Sequence, residues 1–277
     1  RLAEWQAAGK TLPPPNLGWV MMSVAKLSVA DNVLSDTLKR YLLDQIDAQA
    51  KAGDEWTATA IGRFCYGLRA WSGPTLLTML RDMPRRVEAV PEPASRIACS
   101  MALFGLQRCP DGPEARALLA ALAGMIEGCP EPFGGQEIGN SLYGLRAFED
   151  CREVRAVLAA LLPKIRECSR PPNAQEVGNA LYGLQRCGAG NSEEVRGVMA
   201  AVAERAQECG EPFSPQNFSN ALFGLQGVTD SAEARSVLAA LARKLSESTA
   251  TFEAQNVAHA FYGLQRFQDS PPLRALL

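Results

Sequence analysis

The sequence predicts an all-α fold, an α-solenoid of about seven helical hairpins with a period near 39 residues. Three observations carry this. A five-residue phrase recurs six times: Cys65-Tyr-Gly-Leu-Arg69, Leu103-Phe-Gly-Leu-Gln107, Leu142-Tyr-Gly-Leu-Arg146, Leu181-Tyr-Gly-Leu-Gln185, Leu222-Phe-Gly-Leu-Gln226 and Phe261-Tyr-Gly-Leu-Gln265. Its central glycines are spaced 38, 39, 39, 41 and 39 residues apart, a fixed period of the kind that stacked repeat units leave in a sequence. Each of the first five copies is followed by a second apolar-periodic stretch and then proline, and no stretch alternates as a strand would.

Taken in order, residues 1–55 differ from the rest. Pro13-Pro-Pro15 is stiff and non-helical, and Trp5, Trp19, Trp56 and Trp71 all lie in the first quarter of the chain. A solenoid needs an atypical unit to cover its first face, so this segment is expected to cap the array. It also holds a degenerate repeat, since Lys26-Leu27 lies 41 residues before Gly67-Leu68. Residues 56–277 read as tandem hairpins, the last one truncated. Because the sequence opens on Arg1 and ends inside the pattern at Leu277, it is expected to be part of a longer protein.

Within a unit the first helix, for example residues 214–228, carries the phrase. The second, for example 232–248, is rich in Ala, Leu, Arg and Lys, all strong helix formers. Short links such as 148–150 and 229–231 join the two, and extra residues at 188–192 account for the 41-residue step. Prolines at 91, 93, 130, 132, 171, 172, 212 and 215 separate the units.

Stepping 100° per residue along the first helix separates two faces. Val177, Leu181 and Leu184 form an apolar stripe, repeated as Ile138, Leu142, Leu145 and Phe218, Leu222, Leu225. A polar stripe lies beside the glycine. Its first rung is Gln136, Gln175, Gln216 and Gln255; its second is Asn140, Asn179, Asn220 and His259, with Arg63 and Met101 in earlier units. Its last is Arg108, Arg186 and Arg266. These eleven residues, Gln136 to Arg266, are the candidate RNA- or partner-binding set. The amides can equally hydrogen-bond loops and neighbouring repeats. A glycine within a helix costs about 1 kcal/mol against alanine, so the phrase glycine implies either close approach of an adjacent helix or room for a ligand backbone. The preceding aromatic packs between units or stacks on a base.

Composition narrows the function. A single histidine leaves no room for a multi-histidine metal site, and no metal or other cofactor is expected. No nucleophile elbow, HExxH or phosphate-loop spacing is present, so a non-catalytic protein is expected; Glu193-Glu194 simply starts a second helix. No segment approaches the ~20 apolar residues of a membrane span. The eight cysteines recur at repeat positions (Cys129, Cys168, Cys209; Cys109, Cys187), which points to packing in a reducing compartment rather than disulfides.

The run Phe213-Ser-Pro-Gln-Asn-Phe-Ser-Asn-Ala-Leu-Phe-Gly-Leu resembles the octotricopeptide-type, RAP-associated helical repeats of algae and protists, and the resemblance extends over all clear units. It implies a chloroplast or mitochondrial protein that binds single-stranded RNA in organelle gene expression. It matches Gln136, Gln175, Gln216, Gln255, Asn140, Asn179 and Asn220 to the family's polar positions. The formal net charge of −2 suits an alternative, a protein–protein interaction scaffold or a peripheral subunit of a large organellar complex. A basic groove along the first helices would favour RNA, and an acidic or mixed one a protein.

Overall fold

The computed structural model describes residues 11–27, 36–52 and 55–277, and those residues form fourteen α-helices and one short 3₁₀ turn, with no strand among them. The chain divides into two compact units, Arg1–Pro130 and Glu131–Leu277.

The first unit holds α1 (Pro14–Lys26), α2 (Asp36–Ala52), α3 (Ala58–Leu68), α4 (Gly73–Glu88), α5 (Arg96–Gly105) and α6 (Pro113–Glu127). Packing alternates: α1, α3 and α5 stack as one layer, and α2, α4 and α6 as the other. The second unit repeats the scheme with α7 (Gly135–Gly144), α8 (Arg152–Arg166), α9 (Ala174–Gly183), α10 (Glu193–Glu208), α11 (Pro215–Phe223), α12 (Ala232–Ser246), α13 (Ala254–Leu264) and α14 (Pro271–Leu276). There α7, α9, α11 and α13 form the first-helix layer and α8, α10, α12 and α14 the second. This is an α-solenoid, as the period requires.

Local chemistry starts each helix. Thr57, Ser95, Asn173 and Ser214 cap the first helices by accepting from the backbone amide three residues on, at 3.2, 3.2, 2.8 and 3.2 Å. On α9 the cap is reciprocal, because Glu176 accepts from the Asn173 amide at 2.8 Å. The second helices use another device. The residue before the cap is an aspartate that accepts a forked pair of bonds from an arginine five residues on: Asp111–Arg116, Asp150–Arg155, Asp230–Arg235 and Asp269–Arg274. These are the places a hydrophobic staple occupies, and in α4 they hold Trp71 and Leu76, both buried. In the unit with the longer link, Asn191 takes a left-handed conformation (φ 47°) after the 3₁₀ turn Cys187–Gly190, and its carbonyl accepts from Arg196 at 2.6 Å.

The layers close on an apolar core that includes Leu17, Met21, Ile61, Phe64, Leu68, Met79 and Leu103 in the first unit, and Leu142, Val157, Leu158, Leu181, Phe218 and Leu238 in the second. Trp56 lies edge-on to Phe64 at 5.4 Å, with the Arg86 guanidinium 4.7 Å from the Trp56 ring. Arg86 itself is buried, donates to Asp82 and bonds the Ile46 carbonyl at 3.1 Å, which ties α4 to α2. Gln45 and Gln49 of α2 clamp the backbone of Leu12. Trp5 lies outside the described residues. Trp56 and Trp71 are buried, whereas Trp19 is half exposed. All eight cysteines are free thiols, six of them buried.

The phrase glycine stands at or beside the last residue of its helix rather than within it. Its reason is packing. A Cβ on Gly105 would overlap the carbonyl of Cys65, and those on Gly183, Gly224 and Gly263 would overlap the carbonyls of Leu142, Leu181 and Leu222. Each of those carbonyls lies two residues before the glycine of the preceding unit. A second small position, five residues earlier, meets the next unit: Gly62 lies against Ala98, Gly139 against Glu176 and Gly178 against Asn217. The first-helix layer is therefore joined backbone to backbone. The same rule re-registers the degenerate repeat. Gly67 meets Met21, and Gly18 meets the Ala60 carbonyl, so Ser23 and not Lys26 stands where the glycine should be.

Candidate nucleic-acid interface

After the glycine the chain tightens. Backbone amides bond three residues back rather than four, as in Leu145 to Leu142, Leu184 to Leu181 and Leu225 to Leu222, at 2.9–3.0 Å. The last rung of the polar stripe therefore leaves the helical register. Arg108, Arg186 and Arg266 sit on this turn and are exposed.

The other rungs lie on the first helices as the 100° step places them. Gln136, Gln175, Gln216 and Gln255 are exposed, while Asn140, Asn179, Asn220 and His259 are half-buried. The two columns touch in α11, where Gln216 Nε2 donates to Asn220 Oδ1 at 2.7 Å. His259 lies 5.2 Å from the Phe223 ring. In the first unit the second-rung position holds Arg63, whose guanidinium stacks 4.0 Å above Trp19 of the preceding helix.

The aromatics before the glycine pack on one another. Tyr66 stacks on Phe104 at 5.8 Å, and Tyr143, Tyr182, Phe223 and Tyr262 stack in series at 5.5–5.7 Å with ring planes 20–22° apart. Neighbouring rings thus occupy faces that a base would need, and each pair contributes about 0.5–1.5 kcal/mol beyond its buried area.

One functional column escaped the periodicity argument. The residue two after the glycine is Arg69, Gln107, Arg146, Gln185, Gln226 or Gln265. Its signal was the last letter of the phrase, always Arg or Gln. Arg69 lies over Tyr66 at 4.1 Å, and Arg146 lies over Tyr143 at 4.7 Å while donating to its hydroxyl at 2.5 Å. Gln226 Nε2 donates to Gln185 Oε1 at 3.1 Å, and Gln185 Nε2 to the Arg146 carbonyl at 3.4 Å. The amides form a chain running from repeat to repeat.

In the second unit these columns border an open cleft of about 900 Å³, lined by Glu149, Asp150, Gln185, Arg186, Gln226 and Arg266, with Phe223 and Tyr262 also on its wall. Two of the three expected arginines meet here; Arg108 belongs to the other compact unit. The carboxylates are already engaged. Glu149 pairs with Arg186 at 2.7 Å on the surface, and Asp150 is gripped by Arg155.

Charge elsewhere on this face has one sign. Five first-helix positions (eight, four and one before the glycine, two and three after it) hold six arginines over the six units, and no carboxylate. The acidic side chains of the first helices, Glu137 and Glu176, are spent on capping.

Among the described residues no helix is long and apolar enough to cross a membrane. The class the fold defines is a helical-repeat protein. No family model matches the chain, and no curated protein is significantly similar to it.

Proposed function

We propose that this is a non-catalytic binding protein whose first-helix face holds single-stranded RNA in an organelle, chloroplast or mitochondrion. The observation that carries the reading is the charge of that face: six arginines among rows of amides, with no carboxylate at the same positions, in a chain whose net charge is −2. A polyanion needs local cations more than net charge. The amide rows supply donors and acceptors to base edges. The likeness to octotricopeptide-type repeats supports the same ligand and compartment.

Because Gln136, Gln175 and Gln216 repeat with Asn140, Asn179 and Asn220, successive units present one chemistry, and a shallow sequence preference is expected. Replacing Arg108, Arg186 and Arg266 together by glutamate should abolish binding to a single-stranded ribo-oligonucleotide, with an unaltered helical spectrum. The wild-type affinity should fall with salt at a slope of about −0.7 per phosphate contact. Unchanged affinity in the triple variant would sink the proposal.

A second reading, a protein partner, is favoured by one observation, the two carboxylates on the cleft wall. It predicts a stable protein complex that survives nuclease treatment.

A further inference from the structure

The cleft in the second unit pairs groups that a phosphate-binding surface alone does not need. Arg266 is exposed and makes no ion pair among the described residues. Arg186, by contrast, faces Glu149 at 2.7 Å, and both members of that pair are more than half exposed. An ion pair this exposed contributes little to stability, about 0–1 kcal/mol, so holding the fold together does not account for it. The cleft also widens at Gly227, where Arg186 and Arg266 stand in the units on either side. Gly227 is fixed by packing, since a Cβ there would overlap the carbonyl of Gln185. Its floor is the amide chain of Gln185 and Gln226.

Building on the RNA reading, we infer that this cleft takes one ribonucleotide of the strand and selects ribose over deoxyribose. Arg266 holds the phosphate. The Glu149 carboxylate, oriented by Arg186, accepts a hydrogen bond from the ribose 2′-hydroxyl. The Gln185 and Gln226 amides face the base edge. The chemistry follows from acceptor capacity. A carboxylate has two oxygens with about four acceptor sites, so an arginine on one oxygen does not saturate it. The 2′-hydroxyl is the donor that distinguishes RNA from DNA, and a carboxylate is the acceptor that dinucleotide-binding folds place against it. Asp150 cannot take this part, because Arg155 engages both its oxygens at 2.7 and 2.8 Å. A carboxylate near a bound strand repels phosphate, so its presence lowers affinity for DNA, which offers nothing in return.

The test is a matched pair of single-stranded oligonucleotides with the same bases, one ribo and one 2′-deoxy, titrated against the wild-type chain and Glu149→Ala at fixed salt. The wild type should prefer the ribo strand by about tenfold or more, the size of one hydrogen bond to a charged acceptor. Glu149→Ala should bring the ratio near unity, by weakening ribo binding while deoxy binding stays the same or tightens. Glu149 is exposed, and a thermal melt confirms that the variant folds. If the wild type binds both strands equally, or the variant keeps the preference, the inference falls and the RNA reading stands. If the wild type binds neither strand, both fall.

Discussion

In the α5–α6 hairpin, Gly105 closes one helix and Gly124 lies inside the other. A methyl added to Gly105 would collide with the backbone carbonyl of Cys65 in the preceding unit, whereas one added to Gly124 would meet nothing within 4 Å. The contrast holds across the protein. First helices approach so closely that backbone touches backbone, at Gly183 on Leu142 and Gly224 on Leu181 as well. Second helices bring side chains to their joints, and Gly197 of α10 faces only the flexible methyls of Leu162. A backbone carbonyl cannot turn aside, and a leucine can. The first-helix layer therefore fixes the register between units, and its outward columns inherit that precision. The second-helix layer tolerates change.

Three measurements sharpen or break this contrast. The largest effect is expected from Gly105→Ala or Gly183→Ala. Alanine favours the helix, yet the overlap forces two units apart, and overpacking of this kind costs about 1–3 kcal/mol. Denaturant unfolding checks it; a neutral result would mean that the backbone joint relaxes freely.

The aspartate–arginine forks at the second-helix starts come next. The Arg235 guanidinium, helped by the Gln268 amide, holds the Asp230 carboxyl below its usual range, and Arg274 does the same to Asp269. A carboxyl depressed in the folded state stabilises the protein above its unfolded value of about 3.9, and that contribution is lost as the pH falls through the lower, folded value. Stability should thus drop as the pH falls below about 4, and Asp230→Asn should flatten that limb, with a smaller loss at pH 7 than the glycine change. An unchanged acid limb would show that the fork is too well solvated to matter.

The smallest effect, and one of opposite sign, is expected from Gly124→Ala. It should stabilise by up to about 1 kcal/mol through helix propensity and reduced freedom of the unfolded chain. A loss there would mean that the second-helix layer is as tightly registered as the first.

Much of this fold was legible in the sequence. The 39-residue period, the hairpin unit, the apolar stripe ending at Leu145, Leu184 or Leu225, and the exposed glutamine column all follow from residues that act within one helix. The candidate site was legible only in part. Periodicity could place Gln175 and Asn179, which lie inside a helix. It misplaced the surroundings of Arg186, because the chain leaves the 100° step at the glycine. It passed over Gln185 and Gln226, whose significance is a bond between units. It also set Lys26 against Gly67, where packing aligns Ser23, because alignment by matching letters does not weigh which carbonyl must be approached.

The sequence by itself determined a repeating helical chain with one amide-rich, arginine-bearing face. Only the tertiary structure decided where that face acquires a cleft, which carboxylate stands beside Arg186, and that the aromatics stack on one another. The physical reason is range. Helical periodicity is set by bonds between residues three or four apart, whereas the cleft and its charges depend on carbonyls and side chains about forty residues apart, brought together by the backbone contact at each glycine.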